Sequence, residues 1–184
     1  MSTINNRFKY KNILAISGDP GGAKVVAAFL ELECRHAKVK HFNRRFFQFF
    51  KYFHQNISSG YSEKNINEIN QLLDTADILI IGTSVPAGEE IKYLYLANKK
   101  NIASLAIIDH QTNLRERFDS TEYGFIQPRS MIVTSDVALN NACKIFDRSC
   151  EITKIDNPYH KHLQRWKPSK ALNEFKEIEN INKY

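Results

Sequence analysis

The chain has 184 residues and a mass of 21.3 kDa, which corresponds to one domain with short tails. Hydrophobic residues make up 42% and charged residues 25%, so the chain can bury a core, and wholesale disorder is excluded. Lys and Arg outnumber Asp and Glu by 26 to 20, and the net charge of +6 favours anionic ligands or surfaces.

No apolar run approaches the roughly 18 residues that a membrane-spanning helix needs, and residues 1–12 hold no stretch of signal-peptide character. The three cysteines, Cys34, Cys143 and Cys150, include no CxxC pair, which indicates free thiols in a reducing compartment. We therefore expect a cytoplasmic protein, with peripheral association at the inner face of the membrane as an alternative.

Apolar segments typical of strands alternate along the chain with segments of helical periodicity. In chain order we predict strand 11–17, helix 23–34, strand 37–42, helix 62–75, strand 77–82, helix 87–100, strand 102–108, loop 110–129, strand 131–134, helix 136–146, strand 151–155 and helix 171–181. This alternation predicts an α/β fold, a Rossmann-like parallel sheet with helices on both faces. Residues 1–10 would be a tail, 11–160 the domain, and 161–184 a C-terminal tail or helix.

The window between Glu33 and Glu63 has no acidic residue and six cations, namely Arg35, Lys38, Lys40, Arg44, Arg45 and Lys51. A helix over residues 42–53 would place Phe42, Phe46, Phe49, Phe50 and Phe53 on one face, with the cations mostly away from it. Such a helix either packs on the core or docks on an anionic bilayer or an acidic partner. Liposome flotation of Arg44→Glu/Arg45→Glu would test docking. No nucleic-acid-recognition signature is present, so no nucleic-acid partner is expected.

Ligands of open α/β sheets bind outside the carboxyl ends of the strands, where four segments of this chain fall: 18–23, 82–86, 109–118 and 156–159. In the first, GDPGGA, the residues Gly18, Asp19, Gly21 and Gly22 form a tight turn into a helix. Its N–H groups could bind phosphate or carboxylate, or the turn could be purely structural. The segment matches neither GxGxxG nor a P-loop.

If the glycine turn binds an anion, Gly22→Val should abolish binding of phosphate-bearing ligands. The variant chain should stay folded provided that Gly22 keeps a negative φ.

The segment from Asp109 to Phe118 follows a buried strand directly. Histidine is the usual general base of enzymes near neutral pH, so His110 could serve in that role, with Asp109 orienting it or acting itself. Asn113, Arg115 and Arg117 follow, and the two arginines could hold carboxylate or phosphate. Loop caps and surface ion pairs are the structural alternative.

The two remaining segments are smaller. Thr83 and Ser84 either cap the next helix or bind a ligand, and Asn157 lies in a turn after the last strand. His160 and His162 make too weak a pair for a metal site, so neither a metal nor a cofactor is predicted.

These segments together resemble the N-terminal half of bacterial GT-B glycosyltransferases, a superfamily that includes nucleotide-sugar 2-epimerases. The pieces are ILAISGDPGGA at 13–23, ADILIIGTS at 76–84, IIDHQTNLRERF at 107–118, MIVTSDVALNNA at 131–142 and ITKIDNPY at 152–159. The resemblance implies a polysaccharide-biosynthesis protein with acceptor contacts and part of a donor phosphate site at Gly21 and Gly22. It places the base at Asp109 or His110.

Only 25 residues follow Tyr159, too few for a second Rossmann-like domain of roughly 150 residues. We therefore expect a half-enzyme for sugar transfer in surface-polysaccharide synthesis, completed by a second GT-B half, which by itself binds nucleotide sugars weakly. The alternative is a noncatalytic α/β module that binds an anionic nucleotide or sugar phosphate.

Overall fold

The computed structural model describes residues 8–9, 11–43, 58–59 and 66–165. The strands in these ranges are β1 (Asn12–Ser17), β2 (Lys38–Asn43), β3 (Ser58–Ser59), β4 (Ile78–Gly82), β5 (Ala103–Ile107), β6 (Asp119–Ser120), β7 (Gly124–Phe125), β8 (Ser130–Val133) and β9 (Glu151–Lys154). The helices are α1 (Pro20–Glu33), α2 (Ile66–Asp74), α3 (Glu90–Lys99), α4 (Asp136–Ile145) and α5 (Pro158–Arg165).

Seven strands form one parallel sheet in the order β3-β2-β1-β4-β5-β8-β9. The chain runs outward from β1 through β2 and β3, then returns to β4 on the other side of β1. The strand order therefore reverses between β1 and β4, as in a Rossmann-like sheet. The predicted fold class is confirmed.

Helices cover both faces of the sheet. Side chains alternate between the faces along β1, so Leu14 and Ile16 pack in the layer of α2, α3 and α4, whereas Ile13 and Ala15 pack in the layer of α1. Strand β4 (ILIIG) is apolar along its length because both of its faces are covered. The core is therefore continuous on both sides of the central strands.

Three local differences from the predicted elements have identifiable causes. Helix α1 begins at Pro20, three residues early, because Asp19 caps it and Pro suits the first turn. The predicted loop 110–129 contains the antiparallel pair β6–β7. Residues 158–165 form α5 instead of leading away from the sheet.

Helix α5 returns across α1. The Lys24 ammonium lies 5.8 Å from the ring centroid of Tyr159, and His162 Nδ1 lies 2.7 Å from Glu31 Oε2. These contacts between the two helices explain why the chain turns back after Pro158.

The predicted helix over 42–53 is wrong at its start. Phe42 and Asn43 belong to β2, where Phe42 pairs with Ile16 and Asn43 with Ser17. The rest of that helix, residues 44–53, and the predicted helix 171–181 lie outside the described residues. In the described part of the chain, no helix has the length and apolar character needed to cross a membrane.

Candidate functional site

A polar cleft of about 560 Å³ lies at the carboxyl ends of β5, β8 and β9, and we call it the carboxyl-edge cleft. Its lining residues are Asp109, His110, Gln111, Thr134, Ser135, Asp156, Asn157, His160, Lys161 and Gln164. The parallel direction of the strands produces this clustering, because their carboxyl ends meet at one edge of the sheet. The cleft brings together three of the predicted site residues, Asp109, His110 and Asn157.

Beside the cleft, Arg117 forms a buried ion pair with Asp109. Arg117 is 5% exposed, and its Nη1 donates to Asp109 Oδ1 at 3.0 Å and to Thr83 Oγ1 at 3.0 Å. Its Nε donates to the carbonyl oxygen of Thr112 at 3.2 Å. The guanidinium therefore joins the ends of β4 and β5 to the loop that follows, and an anionic ligand would compete with these protein acceptors.

Two carboxylates lie at the glycine turn, that of Asp19 within it and that of Asp109 beside it. Asp19 Oδ1 accepts a hydrogen bond from the Gly22 N–H at 2.7 Å, the N–H that the sequence assigned to an anion. Asp109 Oδ2 occupies the position that a Cβ on Gly21 would need. Burial raises the pKa of Asp19, and the nearby Asp109 carboxylate raises it further. Two carboxylates thus face the turn, which opposes the approach of phosphate.

Gly22 has a packing role. A Cβ there would lie 2.9 Å from the carbonyl carbon of Gly82, and a Cβ on Gly82 would lie 2.6 Å from the Gly22 carbonyl oxygen. The start of α1 therefore rests directly on the end of β4, backbone against backbone. Whether Gly22→Val stays folded therefore depends on the space beside Gly82 and not only, as expected from the sequence, on the sign of φ.

His110 is exposed at the mouth of the cleft. Its Nδ1 lies 2.9 Å from Thr112 Oγ1 and 3.4 Å from the Thr112 backbone nitrogen. With its proton on Nδ1, the ring donates to the Thr112 hydroxyl and keeps the Nε2 lone pair for accepting a proton. With its proton on Nε2, the ring accepts from Thr112 and can donate to a ligand.

A buried carboxyl group next to Ser84, that of Glu90, was not predicted from the sequence. Glu90 is 0% exposed, and its Oε1 accepts from the backbone N–H groups of Ser84 at 2.7 Å and Gly88 at 3.2 Å. Glu90 Oε2 and Ser84 Oγ lie together over Gly18, buried without a hydrogen-bond partner among the described residues. Burial raises the pKa of Glu90. An acidic residue in the first turn of a helix normally faces solvent, so the pattern GEE did not predict burial.

The other predicted ligand residues have local roles. Asn113 adopts φ 54°, and Arg115 lies 4.8 Å from the ring centroid of Phe125 and 3.6 Å from Asp119 Oδ2, so neither lines the cleft. Asn157 caps α5 by accepting from the Tyr159 N–H at 2.9 Å. Thr83 is buried against Arg117.

Several cleft residues lay outside the sequence prediction, notably Gln111, Ser135, Lys161 and Gln164. Gln111 and Ser135 follow β5 and β8, and the Ser135 hydroxyl lies 3.2 Å from Gln111 Oε1, whereas Lys161 and Gln164 reach the cleft because α5 folds back against α1. His160 and His162 face different surroundings, since His160 lines the cleft and His162 contacts Glu31 of α1. Across residues 8–9, 11–43, 58–59 and 66–165, no group of three or more His, Cys, Asp or Glu side chains is arranged to hold a metal.

No protein-family model matches the sequence, and no curated protein matches it either. Among solved structures, the chain is similar to a short-chain dehydrogenase/reductase (wide type) from Veillonella parvula in complex with NADP (14% identity, TM-score 0.37, covering 53% of this chain and 47% of that chain). It is also similar to a candidate MAR1 ribonuclease from Leishmania major (13%, TM-score 0.39, covering 95% and 92%). A third is UDP-N-acetylglucosamine 4-epimerase from Methanobrevibacter ruminantium in complex with UDP-N-acetylmuramic acid (14%, TM-score 0.38, covering 92% and 51%).

The chain spans about half the length of the dehydrogenase (47%) and of the epimerase (51%). At identities of 13–14% and TM-scores of 0.37–0.39, these structural similarities do not identify an activity for this chain. The Rossmann-like assignment therefore rests on the strand order of this chain itself.

Proposed function

We propose that this chain is a Rossmann-like module of a sugar-transfer protein of the GT-B type, acting in surface-polysaccharide biosynthesis, and that it binds a nucleotide sugar or sugar phosphate in the carboxyl-edge cleft. The observation that carries this proposal is the composition of the cleft. All ten of the described residues that line the cleft are polar. Hydroxyl, amide and imidazole groups in that number suit a ligand with many hydroxyl groups, whereas an apolar ligand would leave them without hydrogen bonds.

The charges around the cleft also favour an anionic ligand. Asp109 is paired with Arg117, and Asp156 Oδ2 lies 3.2 Å from Lys161 Nζ, so neither carboxylate adds an uncompensated negative charge. Helices α4 and α5 both begin at the cleft, and helix N-termini carry partial positive charge. The pairing of both carboxylates and the two helix N-termini thus favour a phosphate group in the cleft.

In catalysis, His110 or Asp109 would act as the base. The base would take the proton of an acceptor hydroxyl as that oxygen bonds to the anomeric carbon, while the bond from that carbon to the phosphate oxygen breaks. His110 suits this role in the tautomer whose Nδ1–H donates to Thr112. The phosphate-bearing leaving group and the second GT-B half belong to the complete enzyme in this proposal.

The second candidate is a noncatalytic module that uses the same cleft to bind an anionic nucleotide or sugar phosphate. The engagement of Asp109 by Arg117 favours it, because the guanidinium already occupies Oδ1 of the carboxylate that would take the proton of the acceptor hydroxyl. The two candidates predict the same binding and differ in turnover.

We predict that the purified chain binds nucleotide sugars with dissociation constants in the millimolar range, about −4 kcal/mol. The reason is that half of a GT-B site contributes only part of the contacts. The measurement is calorimetric titration with a panel of nucleotide sugars and sugar phosphates, together with amide chemical shifts. The shifts should cluster at residues 109–111, 134–136 and 156–161.

The matched variants are Gln164→Ala in the cleft and Gln71→Ala on α2, both exposed glutamines of helices. Gln164→Ala should weaken binding and Gln71→Ala should not. Equal affinity in both variants, with shifts elsewhere, would remove the cleft as the site. Micromolar binding with measurable transfer by the chain would refute the half-enzyme form. Transfer restored by a second half and lost in His110→Gln would exclude the noncatalytic candidate.

A further inference from the structure

A second groove lies at the opposite edge of the sheet, and we call it the amino-edge groove. It has a volume of about 560 Å³ and is formed by the starts of β1 and β2, the turn after α1, and the end of α2. Its lining residues are Asn12, Ile13, Leu14, Arg35, His36, Ala37, Lys38, Val39, Lys40, Leu72, Thr75 and Ala76. It shares no lining residue with the carboxyl-edge cleft.

The charged side chains that line this groove are all cationic. Lys38 pairs with Asn12 and Lys40 with Leu14 in the parallel register, which places both lysines on the same face of the sheet. Arg35 approaches from the turn after α1, and all three side chains are exposed. Among the residues that the structure describes, no Asp or Glu lines the groove.

The acidic residues around the groove are engaged elsewhere. Asp77 Oδ2 accepts from the Asn12 backbone N–H at 2.7 Å, and Asp74 lies 2.6 Å from Lys100 Nζ. Arg35 donates from Nε to the carbonyl oxygen of Glu31 at 3.1 Å. In the described ranges, Arg35, Lys38 and Lys40 form no ion pair with a carboxylate.

Beneath this cationic rim the floor is apolar. Leu14 is buried, and Leu72 of α2, in the same layer of the core, is half-buried, whereas the side chains of Ile13 and Val39 pack in the α1 layer on the other face of the sheet. Because a low-dielectric floor lies on one side, charges at the rim are screened less than on a flat surface. Within the described residues, three cations that pair with no carboxylate line one groove with an apolar floor, and together they form a site for a compact, multiply charged anion.

We propose that the amino-edge groove binds a phosphate group, held by Arg35, Lys38 and Lys40. The arginine supplies planar paired donors that match phosphate oxygens, and the lysines supply charge. The phosphate can belong to a soluble phosphate ester or to a lipid headgroup, and the two sources present the same chemistry to the rim. The proposal is independent of the sugar-transfer function, because its residues lie at the other edge of the sheet.

The test uses the full chain and two probes, sodium pyrophosphate and vesicles of phosphatidylcholine with and without phosphatidylglycerol. Amide shifts report pyrophosphate binding, and co-flotation reports vesicle binding. The variant is Lys38→Gln/Lys40→Gln. The control is Lys144→Gln/Arg148→Gln, which removes two exposed cations from the end of α4 and so lowers the net charge of +6 equally.

For the intact chain we expect shifts at residues 35–40 or flotation that requires phosphatidylglycerol, in either case weakened by salt. Lys38→Gln/Lys40→Gln should lose about 10- to 30-fold in affinity, and the control should change little. Binding of pyrophosphate would show that a soluble phosphate is sufficient to fill the groove. Flotation without pyrophosphate binding would identify the lipid headgroup as the source of the phosphate.

Arg35→Gln, which changes only a turn residue, provides a second variant if the strand variant fails to fold, and circular dichroism checks both. Equal losses in Lys38→Gln/Lys40→Gln and in the control would overturn the proposal, since net charge would then explain the binding. Shifts confined to the carboxyl-edge cleft, or no binding of either probe, would also overturn it.

Discussion

At the scale of single residues, Glu90 shows how burial changes the chemistry of a carboxyl group. Its side chain is inaccessible to solvent, and its Oε1 accepts from the backbone N–H groups of Ser84 and Gly88, while Oε2 lies beside the Ser84 hydroxyl. Burial raises its pKa because the charged form loses hydration that these bonds do not replace. The neutral acid is therefore the form that the fold stabilises.

We predict that Glu90→Gln flattens part of the pH dependence of stability. Because the folded-state pKa is raised above the usual value near 4.5, the contribution of Glu90 is fully present below that value and is lost as pH rises through the folded pKa. Glutamine keeps the Oε1 acceptor and cannot ionise. The variant should therefore gain stability over the parent as pH rises above 4.5 toward the folded-state pKa, by about 1.4 kcal/mol for each pH unit between the two values.

Urea unfolding at several pH values measures this difference, and Glu89→Gln is the neighbouring control, since Glu89 is only half-buried. A difference between the Glu90→Gln variant and the parent that does not change with pH would contradict the prediction.

Gly22 is the second residue whose role depends on its surroundings. We predict that Gly22→Val destabilises the fold by about 3 kcal/mol, because its Cβ would meet the backbone of Gly82 at 2.9 Å and backbone cannot move aside as a side chain can. Gly124→Val is the matched control, since Gly124 has φ +70° with open space around it and should cost about 1 kcal/mol through φ alone. Thermal unfolding of both variants shows whether the steric clash at Gly22 or the positive φ at Gly124 costs more stability. Similar losses in the two variants would show that the Gly22–Gly82 contact is unimportant.

At the scale of elements, the start of α1 combines a helix cap with an electrostatic cost. Asp19 Oδ1 satisfies the Gly22 N–H, but Asp19 is partly buried beside the Asp109 carboxylate, and its pKa is raised. The capping oxygen is thus favourable to the helix, while the negative charge is unfavourable in this place.

We predict that Asp19→Ala lowers stability by about 1 kcal/mol, because the cap is lost, whereas Asp19→Asn is at least as stable as the parent at pH 7. Asparagine keeps the acceptor oxygen and carries no charge. Ser135→Ala at the start of α4, where the Ser135 hydroxyl accepts from the Ala138 N–H at 3.1 Å, should lose a similar amount and provides the comparison. Chemical unfolding measures all three. A loss in Asp19→Asn equal to that in Asp19→Ala would show that the charge itself stabilises α1.

The apolar period and the end signals of each element explain which elements could be predicted from the sequence. Strands β1, β4, β5, β8 and β9 and helix α4 were predicted within one or two residues, because each has a strong apolar period bounded by glycine, asparagine or a cap. Helix α5 was missed because its exposed face is polar and Asn157-Pro158 is typical of a turn. The two-residue strands β3, β6 and β7 are too short to leave a periodic signal.

At the scale of the whole molecule, the parallel sheet separates two chemical environments. Its carboxyl edge carries the polar cleft with imidazoles, amides and paired carboxylates, and its amino edge carries the cationic groove over an apolar floor. A sugar-bearing ligand and a phosphate held at the other edge would therefore occupy one chain together without sharing a contact. The affinity that calorimetry measures for a variant of one edge can therefore be interpreted without a correction for ligand binding at the other edge.

The sequence by itself determined the fold class, the position of the strand ends, and the presence of Asp109, His110 and Asn157 at the carboxyl edge. Those properties follow from local periodicity and from the rule that the ends of parallel strands meet, so they can be predicted one segment at a time. Only the tertiary structure decided the partners of those residues. Arg117 binds Asp109, 8 positions away in sequence, and Thr83, 34 positions away. Glu90 is buried beside Gly18, and the backbone of Gly22 packs against that of Gly82. Burial and pairing depend on what the rest of the chain places beside a residue, and no local pattern records this.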